Sequence, residues 1–170
     1  MNFVELFNLS EKDVTLQQAS ITFDGFVEEV YSMLIVGGKI VIPKSHEVKD
    51  VRILHTLIKE NNVTILSCSP LILSEFNKLE KISSVHTYLS SSDILKKEYY
   101  NNLINYSDVY NMYGPSETTV CATYYKCTGE EGDLVPIGKP INNYKVYILD
   151  ENLNVMPFGV PGDIYIAGDG

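Results

Sequence analysis

From Val14 to about Pro136 the chain alternates short runs of β-branched and aromatic residues with segments whose apolar residues recur every three or four positions. This is the pattern of βαβ units, in which each helix carries the chain back so that the next strand lies parallel to the last. Strands are expected over residues 14–19, 39–43, 63–68, 86–90 and 108–113, and helices over 26–36, 48–61, 70–78 and 93–103. In the second of these helices Val51, Leu54, Leu57 and Ile58 share one face. The expected fold is α/β: a mainly parallel sheet flanked by helices.

After Pro136 the pattern changes. NYKVYILD (143–150) and GDIYIAG (162–168) alternate as strands across a polar, Pro- and Gly-bearing link, which suits an antiparallel or barrel piece better than another βαβ unit. A boundary is expected at Pro136 to Pro140, with residues 1–136 forming the α/β unit and 137–170 a β segment that begins a barrel-like subdomain. At 170 residues, folding hides roughly 70% of the surface of the unfolded chain, enough for a real core.

Charge narrows the partners. Thirteen Lys+Arg against twenty-two Asp+Glu give a net charge of -9, so polynucleotides and anionic membranes are repelled on average. A small polyanion is not excluded, because backbone N–H groups and Mg²⁺ meet its charge locally. Cys68, Cys121 and Cys127 show neither a CxxC pair nor a neighbouring His pair, so they read as reduced, buried apolar residues. No charged-then-apolar leader opens the chain, and the Met33 to Val36 run is too short to span a bilayer. The expected compartment is the cytoplasm. GxGxxG, GxxxxGK[ST] and GxSxG are all absent, which removes the dinucleotide, P-loop and serine-hydrolase readings.

In a parallel α/β sheet ligands occupy the crevice beyond the C-terminal ends of the strands. Four segments fall there: Thr22 to Gly25, Ser67 to Pro70, Ser90 to Asp93, and NMYGPSETTV from Asn111 to Val120. A loop that only reverses direction needs the Gly-Pro of the last segment, not the Tyr, Glu and hydroxyls around it. Tyr113 offers a stacking face, while Ser116, Thr118 and Thr119 offer hydroxyls for phosphate oxygens. Glu117 is a hard-oxygen ligand suited to Mg²⁺. Composition and spacing favour Asp24 as a helix N-cap, although the same position also aims a carboxylate into the crevice. Glu28, one turn on, is either its partner around a cation or half of an exposed Glu28–Glu29 pair. Ser90 to Ser92 read as cap chemistry before a helix, or as small residues that admit a flat ring.

NMYGPSETT resembles the N-x-Y-G-P-[ST]-E-T-T signature of adenylate-forming enzymes, specifically the adenylation domains of nonribosomal peptide synthetases. ASITFDGFVEE (19–29) is similar to the family's Phe-Asp strand-to-helix motif, and residues 135–170 are similar to its downstream segment ending in G-[ED]-[IL]-x-I-x-G-x-G. The three occur in the family's order, so the resemblance covers essentially the whole chain. It implies ATP and Mg²⁺ as cofactors, with Tyr113 stacking on adenine and Asn111 at its edge. Ser91 and Ser92 stand where the family has an Ala-Gly-like pair, Gly114 makes the bend, and Ser116 and Thr118 meet the α-phosphate. Glu117 holds the metal and, with Thr118, forms the catalytic set.

The resemblance further implies that Asp24 binds the α-ammonium of an amino acid, in a pocket lined by Gly25, Glu28, Ser67, Leu89, Ser91, Met112, Val120 and Cys121. With carboxylates at Asp24 and Glu28, the expected substrate is basic, such as lysine or ornithine. The implied reaction is amino acid plus ATP to aminoacyl-AMP and pyrophosphate, then transfer to phosphopantetheine on a carrier protein, beside condensation domains. The family's Gly-rich phosphate loop is expected upstream of Met1, and its ribose-binding Asp, hinge and catalytic Lys downstream of Gly170. The chain is therefore expected to be a fragment without activity of its own. The alternatives are an acyl or aryl acid ligase of the same superfamily, against which Asp24 speaks, and a non-catalytic interaction module.

Overall fold

A computed structural model describes residues 2–169. The strands are β1 (Val14–Leu16), β2 (Lys39–Val41), β3 (Ile65–Cys68), β4 (Thr87–Ser90), β5 (Asp108–Tyr113), β6 (Thr123–Lys126), β7 (Lys139–Pro140), β8 (Tyr144–Leu149) and β9 (Asp163–Gly168). The helices are α1 (Asn2–Leu6), α2 (Gly25–Val36), α3 (Val51–Glu60) and α4 (Pro70–Lys78). β1 to β7 form a seven-stranded sheet in the order β2-β1-β3-β4-β5-β6-β7, while β8 and β9 form a separate two-stranded sheet. β1 to β5 are parallel neighbours, and β6 and β7 add on antiparallel. The larger sheet thus runs to Pro140, and the smaller one opens at Tyr144.

Adjacent strand residues point to opposite faces, and the core divides accordingly. Leu66, Tyr88 and Val109 pack with Leu54, Ile58, Leu73 and Phe76 of α3 and α4. Ile65 and Leu89, their neighbours, and Met112, three residues beyond Val109, pack with Met33 of α2 and with Leu9 and Cys121 on the other face. Burial on both faces is why the central strands read as continuous apolar runs.

The helix ends follow local chemistry. Asp50 caps α3 by accepting from the Arg52 N–H at 2.8 Å, and Pro70 sits in the first turn of α4. α2 stops at Gly37, whose φ of 75° is left-handed, with the Gly38 N–H returning to the Met33 carbonyl at 2.9 Å.

Several expectations are corrected. The helix expected over 93–103 is absent: Lys96 bridges to Leu134, the Val135 N–H donates to the Leu95 carbonyl, and only short 3-10 turns at Lys97–Tyr99 and Leu103–Asn105 remain. Pairing with residues 134–135 takes the backbone groups that a helix would use. β1 ends at Leu16 rather than at residue 19. The N–H groups of Gln18 and Ala19 donate to the Glu29 carboxylate, at 3.0 and 2.9 Å, instead of to a strand. α1, β6 and β7 lie outside the elements read from the sequence. No helix among the described residues is long and apolar enough to cross a membrane.

Candidate functional site

Because β1, β3, β4 and β5 are parallel, their C-terminal ends open on one edge of the sheet. There a crevice of roughly 560 Å³ is bounded by Asp24, Gly25 and Glu28 at the start of α2 and by Ser91 and Ser92 after β4. Asn111, Met112, Tyr113 and Gly114 at the end of β5, with Val120 and Cys121 beyond the turn, complete that side. Segments about ninety residues apart in sequence are thus brought to one cavity. Leu95, Leu134, Val135 and Ile137 also line it; they became part of the wall when residues 95–96 paired with 134–135, which no local pattern announces.

The turn after β5 is tightly folded. A Cβ added at Gly114 would lie 2.4 Å from the Val120 carbonyl oxygen and 2.7 Å from Cys121 Cα, so only glycine lets the two limbs of the turn approach. Thr119 and Val120 have φ of 57° and 71°. Both are β-branched, and such residues in the left-handed region store strain that persists where the surroundings over-determine it. The Thr118 carbonyl accepts from the Tyr144 hydroxyl at 2.6 Å, so β8 of the smaller sheet holds the turn from outside.

Asp24 stands at the N-cap position of α2 but adopts right-handed helical angles and makes no capping bond. Its Oδ2 accepts instead from the Ser116 hydroxyl at 2.5 Å. The N-cap reading is therefore corrected: the carboxylate faces across the crevice to the turn after β5. Asn111 is buried, and its Nδ2 donates to the carbonyls of Val135 and Pro136 at 3.3 and 3.0 Å, which fixes the plane of the amide.

Glu28 is partly buried, and burial, then the charges of Asp24 and Glu29, push its carboxyl up to about 8. Glu29 is only 4% exposed; burial pushes it to about 7 against the backbone bonds from Ala19 and Gln18. The reading of Glu28–Glu29 as an exposed pair is thus corrected. A signal for Glu29 was present, since Ser32 and Met33 follow it by three and four residues and share its inward face.

Other expected residues are not among those that bound this cavity. Ser67 shares a neighbouring pocket with Asp24, Gly25, Ser91 and Ser92; with Leu89 it also meets Glu28 and Glu29 around a narrow void, and Leu89 is a core residue at 1% exposure. Ser116 and Glu117 are exposed, and Thr118 is partly buried. Among the described residues no group of three or more His, Cys, Asp or Glu is placed to hold a metal. A Mg²⁺ at Glu117 would accordingly draw its remaining ligands from phosphate and water, as that ion commonly does. Burial raises the thiols of Cys68 and Cys121 well above the usual range, consistent with inert packing residues.

Comparison with known proteins agrees with this architecture. The family model described as AMP-binding enzyme matches residues 1–170. Bacitracin synthase 2 of Bacillus licheniformis is 45% identical over 174 residues, covering 99% of this chain and 7% of that protein. Gramicidin S synthase 1 of Brevibacillus brevis is 33% identical, covering 99% of this chain and 15% of that protein. The chain thus spans only a small part of these relatives. The solved nonribosomal peptide synthetase FmoA3 superposes with a TM-score of 0.92 at 20% identity, over 98% of this chain and 19% of that one. The N-terminal subdomain of Klebsiella oxytoca NpsA, solved with 3-hydroxybenzoyl-AMSN, gives 0.83 at 22% identity, over 96% and 44%. At these identities the structures speak for the fold, and the family match speaks for kinship: this chain belongs to the AMP-binding enzyme family, with its likeness to the adenylating segments of nonribosomal peptide synthetases.

Proposed function

We propose that the full-length protein activates a basic amino acid, such as lysine or ornithine, as its adenylate and passes it to a carrier-protein thiol. The observation that carries this reading is the crevice in which Asp24 and Glu28 face Ser91, Ser92, Asn111 and Tyr113. The residues present fit a nucleotide. Ser91, Ser92 and Gly114 are small, Tyr113 offers a partly buried ring, and the Asn111 amide is held in a fixed plane. ATP supplies the phosphoryl centre and leaving group, and Mg²⁺ offsets charge on the phosphates.

This chain's own residues bind and orient. Asp24 takes the α-ammonium, and Glu28 takes the cation at the far end of the side chain. A carboxylate held up at about 8 is costly to ionise alone, and a bound ammonium removes that cost. Ser116 and Thr118 contact phosphate, and Glu117 holds the metal. Catalysis on this reading is the alignment of two anions and the offsetting of charge as it grows, so no side-chain nucleophile is called for. Phosphopantetheine on a carrier domain, with a neighbouring condensation domain, would receive and use the product.

The test is ATP–pyrophosphate exchange by the full-length protein across a panel of amino acids and carboxylic acids. Lysine or ornithine should give the highest kcat/KM. Asp24→Ala should raise KM for the amino acid by roughly 30- to 100-fold, the scale of losing one charge-assisted bond. Preference for leucine or phenylalanine would overturn the substrate, and preference for an aryl or fatty acid would overturn amino-acid activation itself.

A further inference from the structure

Glu29 is the most deeply buried acidic side chain beside the crevice, and the reaction as outlined makes no use of it. It projects from the first half of α2 and is 4% exposed. Its Oε2 accepts from two successive backbone N–H groups, Gln18 at 3.0 Å and Ala19 at 2.9 Å. A buried carboxylate is costly unless bonded, and two backbone donors on one oxygen are among the stronger bonds available to it. Those donors belong to the residues where β1 stops pairing and the chain departs toward Asp24.

The departing strap is anchored elsewhere as well. The Gln17 N–H donates to the Val41 carbonyl at 2.9 Å, and the Gln18 side chain donates to the Ser67 carbonyl. From Ser20 the strap is exposed: Ile21 and Phe23 are 78% and 69% accessible. Its internal bonds include the Ser20–Thr22 hydroxyl contact, the Thr22 N–H to the Ser20 hydroxyl oxygen at 3.4 Å and the Phe23 N–H to the Ser20 carbonyl. Glu29 thus closes a circuit: α2 begins at Gly25, directly after Asp24, and one turn later returns a side chain to the root of the strap that carries Asp24.

We propose that Glu29 is the positioning residue of the amino-acid site, fixing the strap over 18–24 so that the Asp24 carboxylate faces the crevice. The proposal rests on the reading of Asp24 as the ammonium ligand. Glu29 itself touches no ligand; it clamps the backbone on which Asp24 is carried. It lies one position from Glu28, and its charge adds to the negative field there, so the same group that sets the strap also favours a cationic side chain.

The experiment uses the full-length protein and ATP–pyrophosphate exchange, with KM for ATP and for the preferred amino acid measured separately. Glu29→Met keeps the volume without an acceptor, and Glu29→Gln keeps an acceptor oxygen. Glu29→Met is expected to raise KM for the amino acid about tenfold or more with KM for ATP within twofold of the parent, and Glu29→Gln to recover most of the loss. Unchanged amino-acid KM in Glu29→Met overturns the proposal. Equal rises in both KM values also overturn it, since they report general loosening. If Glu29→Met does not fold, Glu29→Gln is read alone: a few-fold rise in KM for the amino acid with KM for ATP unchanged supports the proposal, and equal rises in both, or none in either, reject it. Asp24→Ala, run alongside, separates the premises: an unchanged amino-acid KM there removes Asp24 as the ligand, whatever Glu29 does.

Discussion

The Ser116 hydroxyl donates a 2.5 Å hydrogen bond to Asp24 Oδ2, joining turns 92 positions apart. On the proposed reading one partner is meant for a phosphate oxygen and the other for an ammonium. Each ligand then competes with the same internal bond, and whichever arrives first frees the group the other needs, which is positive coupling.

Ser116→Ala is accordingly expected to tighten amino-acid binding a few-fold without nucleotide and to shrink the enhancement that nucleotide gives. Calorimetry on the full-length protein, with and without a non-hydrolysable ATP analogue, reads both quantities. An enhancement as large as the parent's would leave this bond without a role in coupling.

Glu28 predicts a pH dependence. Its carboxyl lies at about 8 in the fold against an ordinary 4.5, so between those values the native state holds a proton that the unfolded state releases. That contribution is full below about 4.5 and is lost as pH rises through about 8. Glu28→Gln should therefore be more stable than the parent above pH 8, by at most a few kcal/mol, and unfold at a higher temperature there, but at the same temperature near pH 4.5. Thermal melts across that range decide it; since Glu29 shifts the same way, to about 7, the variant should keep part of the slope.

Ser92 has a φ of 75° and is exposed, at the position where the family resemblance puts a glycine. A non-glycine residue pays about 1 kcal/mol in that region. Ser92→Gly is expected to raise the urea midpoint by a corresponding amount with an unchanged slope; a lower midpoint would mean that the hydroxyl supports the turn.

Gly114→Ala places a methyl group against backbone atoms of Val120 and Cys121 at 2.4 and 2.7 Å, which no side-chain rotation relieves. A loss of about 1–3 kcal/mol is expected, with pyrophosphate exchange reduced at least tenfold as the turn opens. Parent-like exchange would show that the turn tolerates the wider separation.

The parallel strands were legible because burial on both faces writes apolar runs into the sequence, as in Ile65 to Cys68. α3 was legible because Leu54 and Ile58 keep helical spacing on a solvent-facing element. The segment 93–103 was not, since its apolar spacing suits a helix and only the distant partner Leu134 decides otherwise. β6 hid behind the motif: Thr123, Tyr124 and Tyr125 have strong strand propensity, but the turn before them drew the reading. Of the crevice, the chemistry-bearing residues were visible as letters. Glu29 was obscured by the neighbouring Glu28, and the Ser116–Asp24 bond by sheer distance along the chain.

The NMYGPSETTV turn lies between β5 and β6, which pair antiparallel with Tyr113 opposite Thr123. Both of its stems are thereby stapled by a ladder, and its conformational freedom is surrendered during folding rather than at encounter with a ligand. On the proposed reading an arriving nucleotide would meet a rigid socket instead of a loop to be ordered. Residues of β6 that never approach the crevice are thus part of its grip, and loosening Thr123 would be felt there as slackness.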